Sequence, residues 1–316
     1  MSTPQPSAAG PRVGILILNY HEPEATLDCV RRLLEVEGAD ARVLWLENDA
    51  AATLDAVLPL LQASGLDWAR LDPETDPLPG PGQVGFIPIA GNLGYAGGNN
   101  VGLRFLHRHR VPYTWIMNND TCLARGGSAD LVRAAEAEPE VGLWGMGVAS
   151  GGGPMNWAWR IQERDFATNV LEDRAGLATH PMAYVSGCAM FFRTERGVAV
   201  GCIPEEYFLF YEDAAFNWEF RKAGYRLGAV DGVEIQHLGS LSTGRRSALM
   251  EYYCRRNRWR LIQRYFPERL RAQVLRFFTY QLQKRLLGLK FAHLRLEWLA
   301  YRDFRAGRLG PTDRRF

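Results

Sequence analysis

The sequence predicts an α/β protein, with a mostly parallel central sheet, helices on both of its faces, and a C-terminal helical extension. Three observations carry this. Short apolar, β-branched runs alternate with stretches of helical spacing, the pattern of βαβ units. Those runs end in polar clusters, as do strands whose carboxyl ends border a ligand crevice. Charge is also segregated: residues 245–316 hold 19 Lys+Arg against 5 Asp+Glu, a balance of +14. The first 244 residues keep 18 against 30, or −12, so a net charge of +2 conceals an acidic body with a basic tail.

Val13 to Asn19 is a continuous apolar run closed by Asn19-Tyr-His-Glu22, which suits a strand buried on both faces. Helical spacing follows over Glu24 to Glu35. A second strand, Arg42 to Leu46, ends in Glu47-Asn48-Asp49, and a second helix runs over Thr53 to Ala63. Leu71 to Pro81 is an acidic, Pro-rich insertion. Val84 to Ile89 is a third strand that Pro88 is expected to break. The segment Gly91-Asn-Leu-Gly-Tyr-Ala-Gly-Gly-Asn-Asn100 reads as a Gly-rich turn before a helix from Val101 to His109. Such a turn lets backbone approach a ligand, and the helix N-terminus offers N–H groups to phosphate, yet the pattern is neither GxGxxG nor a P-loop.

Tyr113-Thr-Trp-Ile-Met-Asn-Asn-Asp120 is a buried strand running out into two amides and a carboxylate. That edge suits a divalent cation and, through it, a diphosphate; alone, it also opens an ordinary turn. A helix over Ser128 to Ala137 leads to a strand from Val141 to Val148. Gly151 to Arg174 is irregular, and its Trp157 and Trp159 either stack on a sugar or fill a local apolar gap. Ala183 to Phe192 reads as one strand. Glu212-Asp213 opens a helix through Phe216 and Phe220 that Gly224 closes, and a carboxylate there also serves a helix N-terminus. Arg226 to Val230 and Val233 to Gln236 read as two short strands, the second ending at His237, before a polar loop with Ser240, Ser242 and Thr243. From Ala248 the spacing is helical, with Tyr252, Tyr253, Trp259 and Ile262 on one side and Arg255, Arg256, Arg258 and Arg260 on the other. Pro267 interrupts, and the pattern resumes over Leu270 to Phe304.

Met1 to Pro11 lacks the regions of a signal peptide and reads as a flexible leader, 1–11. An α/β ligand-binding domain over 12–245 and a basic amphipathic extension over 246–316 complete the expected organisation. The five cysteines form no CxxC pair, which favours reduced thiols and a cytoplasmic setting.

In order and content, several segments resemble glycosyltransferase family 2, in particular its rhamnosyltransferase-like members, inverting enzymes of the GT-A fold. They are Val13-Gly-Ile-Leu-Ile-Leu-Asn-Tyr20; Leu46-Glu-Asn-Asp49; Gly91 through Gly102; Met117-Asn-Asn-Asp120; Val185 through Phe191; Phe208-Leu-Phe-Tyr-Glu-Asp213; His237-Leu-Gly-Ser240; and Tyr252-Tyr-Cys-Arg-Arg-Asn257. The resemblance implies that Asn19, Glu22, Glu47 and Asn48 line the nucleoside pocket, with Glu47 where the family usually has Asp. It implies that Asn92, Gly94, Gly98 and Asn99 border the nucleotide and its diphosphate. Asn118, Asn119 and Asp120 take the place of the family's Asp-x-Asp, with Asn118 replacing the first Asp and Asp120 left as the carboxylate ligand. His237 matches a histidine that completes a Mg²⁺ or Mn²⁺ site. Asp213 matches the catalytic base; for Glu212, a base, a residue positioning the base and a structural hydrogen bonder are all open. Arg256 and Asn257 either anchor the tail or reach the diphosphate.

The chemistry requires these residue types. Expelling a nucleoside diphosphate from an anomeric carbon builds charge that a divalent cation offsets, and the acceptor hydroxyl needs one base. The expected donor is a dTDP- or UDP-sugar, with rhamnose among the sugars, and the acceptor a cell-surface glycan or lipid-linked precursor. Two other functions fit: a nucleotide-sugar-binding protein with a degenerate site, and a nucleotidyltransferase on a similar sheet. The tail admits a solvated or packed helix face, peripheral contact with an anionic membrane, or nucleic acid, and no recognition motif accompanies the last.

Overall fold

The computed structural model describes residues 11–37, 41–151, 153–238, 248–281, 283, 287–288 and 291–313. Ser240, Ser242, Thr243 and all of the expected leader except Pro11 lie outside them. The chain opens with β1 (Val13–Asn19), α1 (Pro23–Glu37), β2 (Ala41–Asn48), α2 (Ala50–Ala63), β3 (Trp68–Arg70) and β4 (Val84–Ile89). β1 runs parallel to β2, β2 to β4, and β3 to β4. Continuous apolar runs were expected here because both faces are covered. Ile15, Ile17 and Trp45 pack on one face of the sheet, and Leu16, Leu44 and Leu46 on the other.

Next come α3 (Gly94–Arg108), β5 (Tyr113–Asn118), β6 (Thr121–Arg125), α4 (Ser128–Ala137) and β7 (Val141–Ser150). β8 (Met155–Asn156) hangs on β7, while β9 (Ala158–Ile161), β10 (Thr168–Leu171) and β11 (Ala183–Tyr184) form a separate three-stranded antiparallel sheet. α5 (Ala175–Thr179) precedes β11; β12 (Ala189–Arg193), α6 (Thr194–Ala199), α7 (Glu212–Lys222) and β13 (Arg226–His237) follow it. The large sheet has the order β3-β4-β2-β1-β5-β12-β7-β13-β6. α8 (Ala248–Tyr265), α9 (Leu270–Arg276), a π-helical turn (Phe277–Gln281) and α10 (Phe291–Arg305) make the C-terminal extension.

Several expectations are corrected. Pro88 does not break β4: it pairs opposite Glu47, and β3 ends opposite Phe86, so the missing N–H falls on an open edge. α3 begins at Gly94, not Val101, and the glycines lie inside it. A Cβ on Gly98 would come 2.5 Å from Leu18, and one on Gly102 2.7 Å from Leu16, so these glycines let the helix lie close on the sheet. Residues 183–192 are two strands in two different sheets, separated at Val185–Cys188. Residues 226–236, conversely, belong to one strand whose register shifts between Val230 and Glu234. Arg255 and Arg256 are not on an open face of α8 but buried.

The extension is attached by ion pairs and aromatic packing. Arg260 and Arg264 each meet Glu206 at 2.7 Å, and Arg264 also meets Glu219 at 2.7 Å. The basic face of α8 is thus neutralised by the acidic body. Trp259 joins Trp218, Phe277 and Phe304 in one apolar cluster.

Candidate active site

The carboxyl ends of β1 and β2 carry a closed polar network. Glu47 is fully buried, and its carboxylate accepts from Asn19 Nδ2 (2.8 and 3.0 Å), Trp45 Nε1 (2.9 Å) and Thr53 Oγ1 (2.7 Å). Asn19 Oδ1 accepts in turn from the Glu22 amide (3.1 Å) and Thr26 Oγ1 (2.8 Å). Asn48 accepts from the Leu93 amide at 2.9 Å and donates to Asn92 Oδ1 at 3.0 Å. Asn92 Oδ1 also accepts from the Gly94 amide at 2.8 Å. Asn19, Glu47 and Asn48 therefore bind one another and the turns around them, and a saturated, buried Glu47 carboxylate offers no lone pair to an outside group. Asn99 is likewise fully buried and donates to the Tyr95 carbonyl at 2.9 Å.

The end of β5 sends its three side chains different ways. Asn118 borders a cavity of about 500 Å³. Asn119 turns to α1, donating to Thr26 Oγ1 at 3.0 Å. Asp120, 8% exposed, meets His237 Nε2 through Oδ2 at 3.2 Å. That hydrogen bond raises the His237 pKa above its ordinary value, against the opposing effect of burial. Asp120 Oδ1 is buried without any hydrogen-bond partner. Burial and the nearby Asp120 charge both raise the pKa of Glu22, which brings a second carboxyl into the field of the first.

Across the cavity stands the start of α7. Asp213 Oδ1 accepts from the Ala214 amide at 2.7 Å, and Oδ2 from the Gly187 amide at 3.0 Å. Burial raises its pKa in spite of those bonds. Glu212, 6% exposed, is raised well above its usual range by burial and then by the Asp213 charge, and its Oε2 has no hydrogen-bond partner. Asn217, one helical turn on, donates to the Asp213 and Val185 carbonyls at 2.8 and 3.0 Å, tying α7 to the strand beside it.

The turn at Ser186–Cys188 joins the two sides. Its Gly187 amide holds Asp213, while its Cys188 carbonyl accepts from the Asn118 amide at 3.0 Å. A Cβ on Gly187 would lie 3.3 Å from both Asp213 Cβ and Tyr95 Oη, so a larger residue displaces one of them. Aromatic side chains from distant segments complete the cavity: Tyr95, Trp157, Trp159, Tyr184, Phe210 and Tyr211. α8 adds Met250 and Cys254.

α8 also shapes the approach to Asp213. Phe208, Phe210 and Tyr211 have φ of 63°, 68° and 71°, a left-handed conformation uncommon for bulky residues. Asn257 Nδ2 holds that segment through the carbonyls of Tyr207 (2.6 Å), Leu209 (2.8 Å) and Phe210 (2.9 Å). Arg256 donates to the Gly310 carbonyl at 2.8 Å and lies 4.9 Å over the Tyr253 ring. Both residues anchor the tail.

One cavity thus brings together Asn118, His237, Glu212 and Asp213, with Asp120 behind His237. Asn19, Glu22, Glu47, Asn48, Asn92, Gly94, Gly98, Asn99 and Asn119 do not border it. Sequence reasoning did not assign Tyr95, Ser186, Gly187 or Asn217. Only Gly187, in Ser-Gly-Cys, left a signal, as a Gly interrupting a strand pattern. An orphaned carboxylate oxygen, an adjacent imidazole and a neighbouring carboxyl fit a divalent cation whose remaining ligands are phosphate oxygens and water. Among the described residues no group of three His, Cys, Asp or Glu side chains forms a complete protein cage.

No protein-family model matches the chain, and no curated protein matches its sequence. Solved structures match its fold. One is GalNAc-T7 with UDP, GalNAc and Mn²⁺, with TM-score 0.52 and 11% identity, matching 79% of this chain and 48% of that one. The chain thus spans about half the length of that protein. Another is the mannosyltransferase PcManGT from Pyrobaculum calidifontis in complex with GDP-Man and Mn²⁺, with TM-score 0.54, 14% identity and coverage of 95% and 76%. At such identities the likeness is one of fold, and the fold is GT-A.

Proposed function

We propose that the protein is an inverting glycosyltransferase that moves a sugar from a nucleoside-diphosphate donor to a hydroxyl of a glycan or lipid-linked acceptor. The observation that carries this reading is the cavity itself. It is lined both by His237, which is bonded to Asp120, and by Asp213, which two backbone amides fix. One carboxylate opposite one cation site is what single displacement requires, in contrast to the flanking carboxylate pair of hydrolases.

In the proposed reaction the acceptor oxygen forms the new bond to the anomeric carbon and gives its proton to Asp213. The nucleoside diphosphate leaves from the opposite face with the electron pair of the broken bond. Asp120 and His237 would hold a Mg²⁺ or Mn²⁺ ion, which when bound offsets charge on the departing diphosphate. Glu212, whose pKa is raised by burial and by the Asp213 charge, would in its protonated form donate a hydrogen bond to the bound sugar or acceptor. The aromatic wall would pack against the apolar faces of sugar rings. UDP and dTDP donors, rhamnose among the sugars, are the proposed class. Support for the donor class comes from the fold shared with structures holding UDP or GDP-Man together with Mn²⁺.

The test is thermal unfolding with UDP, dTDP, GDP and CDP, each with and without Mn²⁺, followed by an assay of the released product. Stabilisation by a nucleotide only with metal, and release of nucleoside diphosphate, are expected. Release of pyrophosphate would make the protein a nucleotidyltransferase. The replacement of a carboxylate by Asn118 favours a second reading, a binding protein without turnover; loss of turnover in Asp213→Asn with nucleotide binding retained excludes it.

A further inference from the structure

The positive charge of the C-terminal extension is of two kinds. Along α8 it is matched by body carboxylates, as described above. The stretch from Leu270 to Arg305 is more lopsided, with eight Lys+Arg against two acidic residues, Glu297 and Asp303. Both acids point inward, at 2% and 1% exposure. Glu297 pairs with Arg255, and Asp303 accepts from Tyr252 Oη at 2.9 Å. Among the described residues, the outer side of this segment carries Arg271, Arg295 and Arg305 exposed and neither of the two acids.

Large apolar side chains share that outer side. Leu275 is 65% exposed, Phe278 42% and Trp298 54%. Leu275 and Phe278 are one turn apart. The Phe278 ring meets Tyr301 edge-on at 5.6 Å, and Trp298 lies one turn before Tyr301 on α10. Arg302 stacks on Trp298 at 4.9 Å. α9 and α10 thus present one apolar strip rimmed by arginines. No helix among the described residues is long and apolar enough to cross a membrane.

We propose that this face docks on an anionic phospholipid surface, with Leu275, Phe278 and Trp298 entering the headgroup–acyl boundary and the arginines meeting lipid phosphates. Charge complementarity selects this occupant. A second copy of the chain would set like charges against each other across a two-fold interface. Nucleic acid would use the arginines but has no need of three exposed apolar anchors on the same strip.

The test is sedimentation of the full chain with vesicles of phosphatidylglycerol and phosphatidylcholine, compared with phosphatidylcholine alone, at low and high salt. Salt-sensitive binding to the anionic vesicles only is expected. Trp298→Glu with Leu275→Glu should abolish it, and Arg271→Glu or Arg295→Glu should each weaken it about fivefold or more. Thermal unfolding of each variant checks that it folds, and turnover on a soluble acceptor should be unchanged. Absence of binding, or equal binding to both vesicle types, overturns the proposal. So does salt-sensitive binding to duplex DNA with none to vesicles, or a dimer in solution that Trp298→Glu dissociates. The readout needs no turnover, so it stands or falls apart from the proposed transferase activity.

Discussion

Asn257 lies outside the cavity yet should control the proposed base. Its amide reaches three carbonyls in the segment entering Asp213, and the residue is 1% exposed. Two N–H groups serve two of those carbonyls fully and share the third. Asn257→Ala leaves the half-buried Leu209 and Phe210 carbonyls without this donor, while the Tyr207 carbonyl keeps the Leu209 amide at 2.7 Å, for a loss of about 1–3 kcal/mol in all. At about 2–4 °C per kcal/mol for a large domain, the unfolding midpoint should fall measurably. Phe208, Phe210 and Tyr211, at positive φ, store about 1–3 kcal/mol apiece, and the Asn257 bonds help to hold them in place. When released they relax, and the first turn of α7 moves with them. kcat should therefore fall at least tenfold while nucleotide affinity, which the proposed function assigns to the Asp120 and His237 side, changes little. Asn257→Asp should be worse than Ala, because it turns carboxylate oxygens toward carbonyl oxygens. Thermal unfolding, nucleotide titration and turnover on the three proteins decide the matter. An alanine variant with unchanged midpoint and kcat, or an aspartate variant milder than alanine, would refute the reasoning.

Glu212→Gln should stabilise the protein at neutral pH while lowering turnover. Its folded pKa lies above the unfolded one, so stability falls as pH rises through the ordinary glutamate range, and the gain from Gln should grow from acid toward neutral pH. Urea unfolding at several pH values reads this directly. Asp120→Ala should remove the Mn²⁺-dependent part of nucleotide stabilisation and change the metal-free midpoint only by the loss of the Oδ2–His237 contact, because Oδ1 holds no protein partner. Gly187→Ala should cut kcat about tenfold with a small change in midpoint, since its methyl presses on Asp213 and Tyr95 and displacements below 1 Å matter at a reacting centre; unaltered kinetics would refute this.

The parallel half of the sheet was legible because strands buried on both faces leave uninterrupted apolar runs, and β1, β2 and β5 are such runs. The start of α3 was not. Glycine inside a helix looks like a loop until Leu16 and Leu18 are known to press against it, and that is long-range information. β9 and β10 were read as irregular because strands of four residues fall below any periodic signal, and β11 was read as the start of the strand that ends at Phe192. The polar strand ends were visible as a set, but not their division of labour. Nothing local distinguishes Glu47, turned into the core toward Trp45 and Thr53, from Asp120, whose free oxygen lies beside His237. The arginines of α8 looked solvated because Glu206 and Glu219 are remote in sequence.

The short turn at Ser186–Cys188 has a mechanical consequence. Gripping Asp213 through the Gly187 amide and the end of β5 through the Cys188 carbonyl, it acts as the frame of a caliper whose jaws are the two halves of the site. Jaw width is then set by covalent geometry and not by the softer packing of domains. Changing what the cavity accepts is accordingly a matter of relining its walls at Trp157, Trp159 or Met250, while any residue inserted into the frame itself would move both jaws at once.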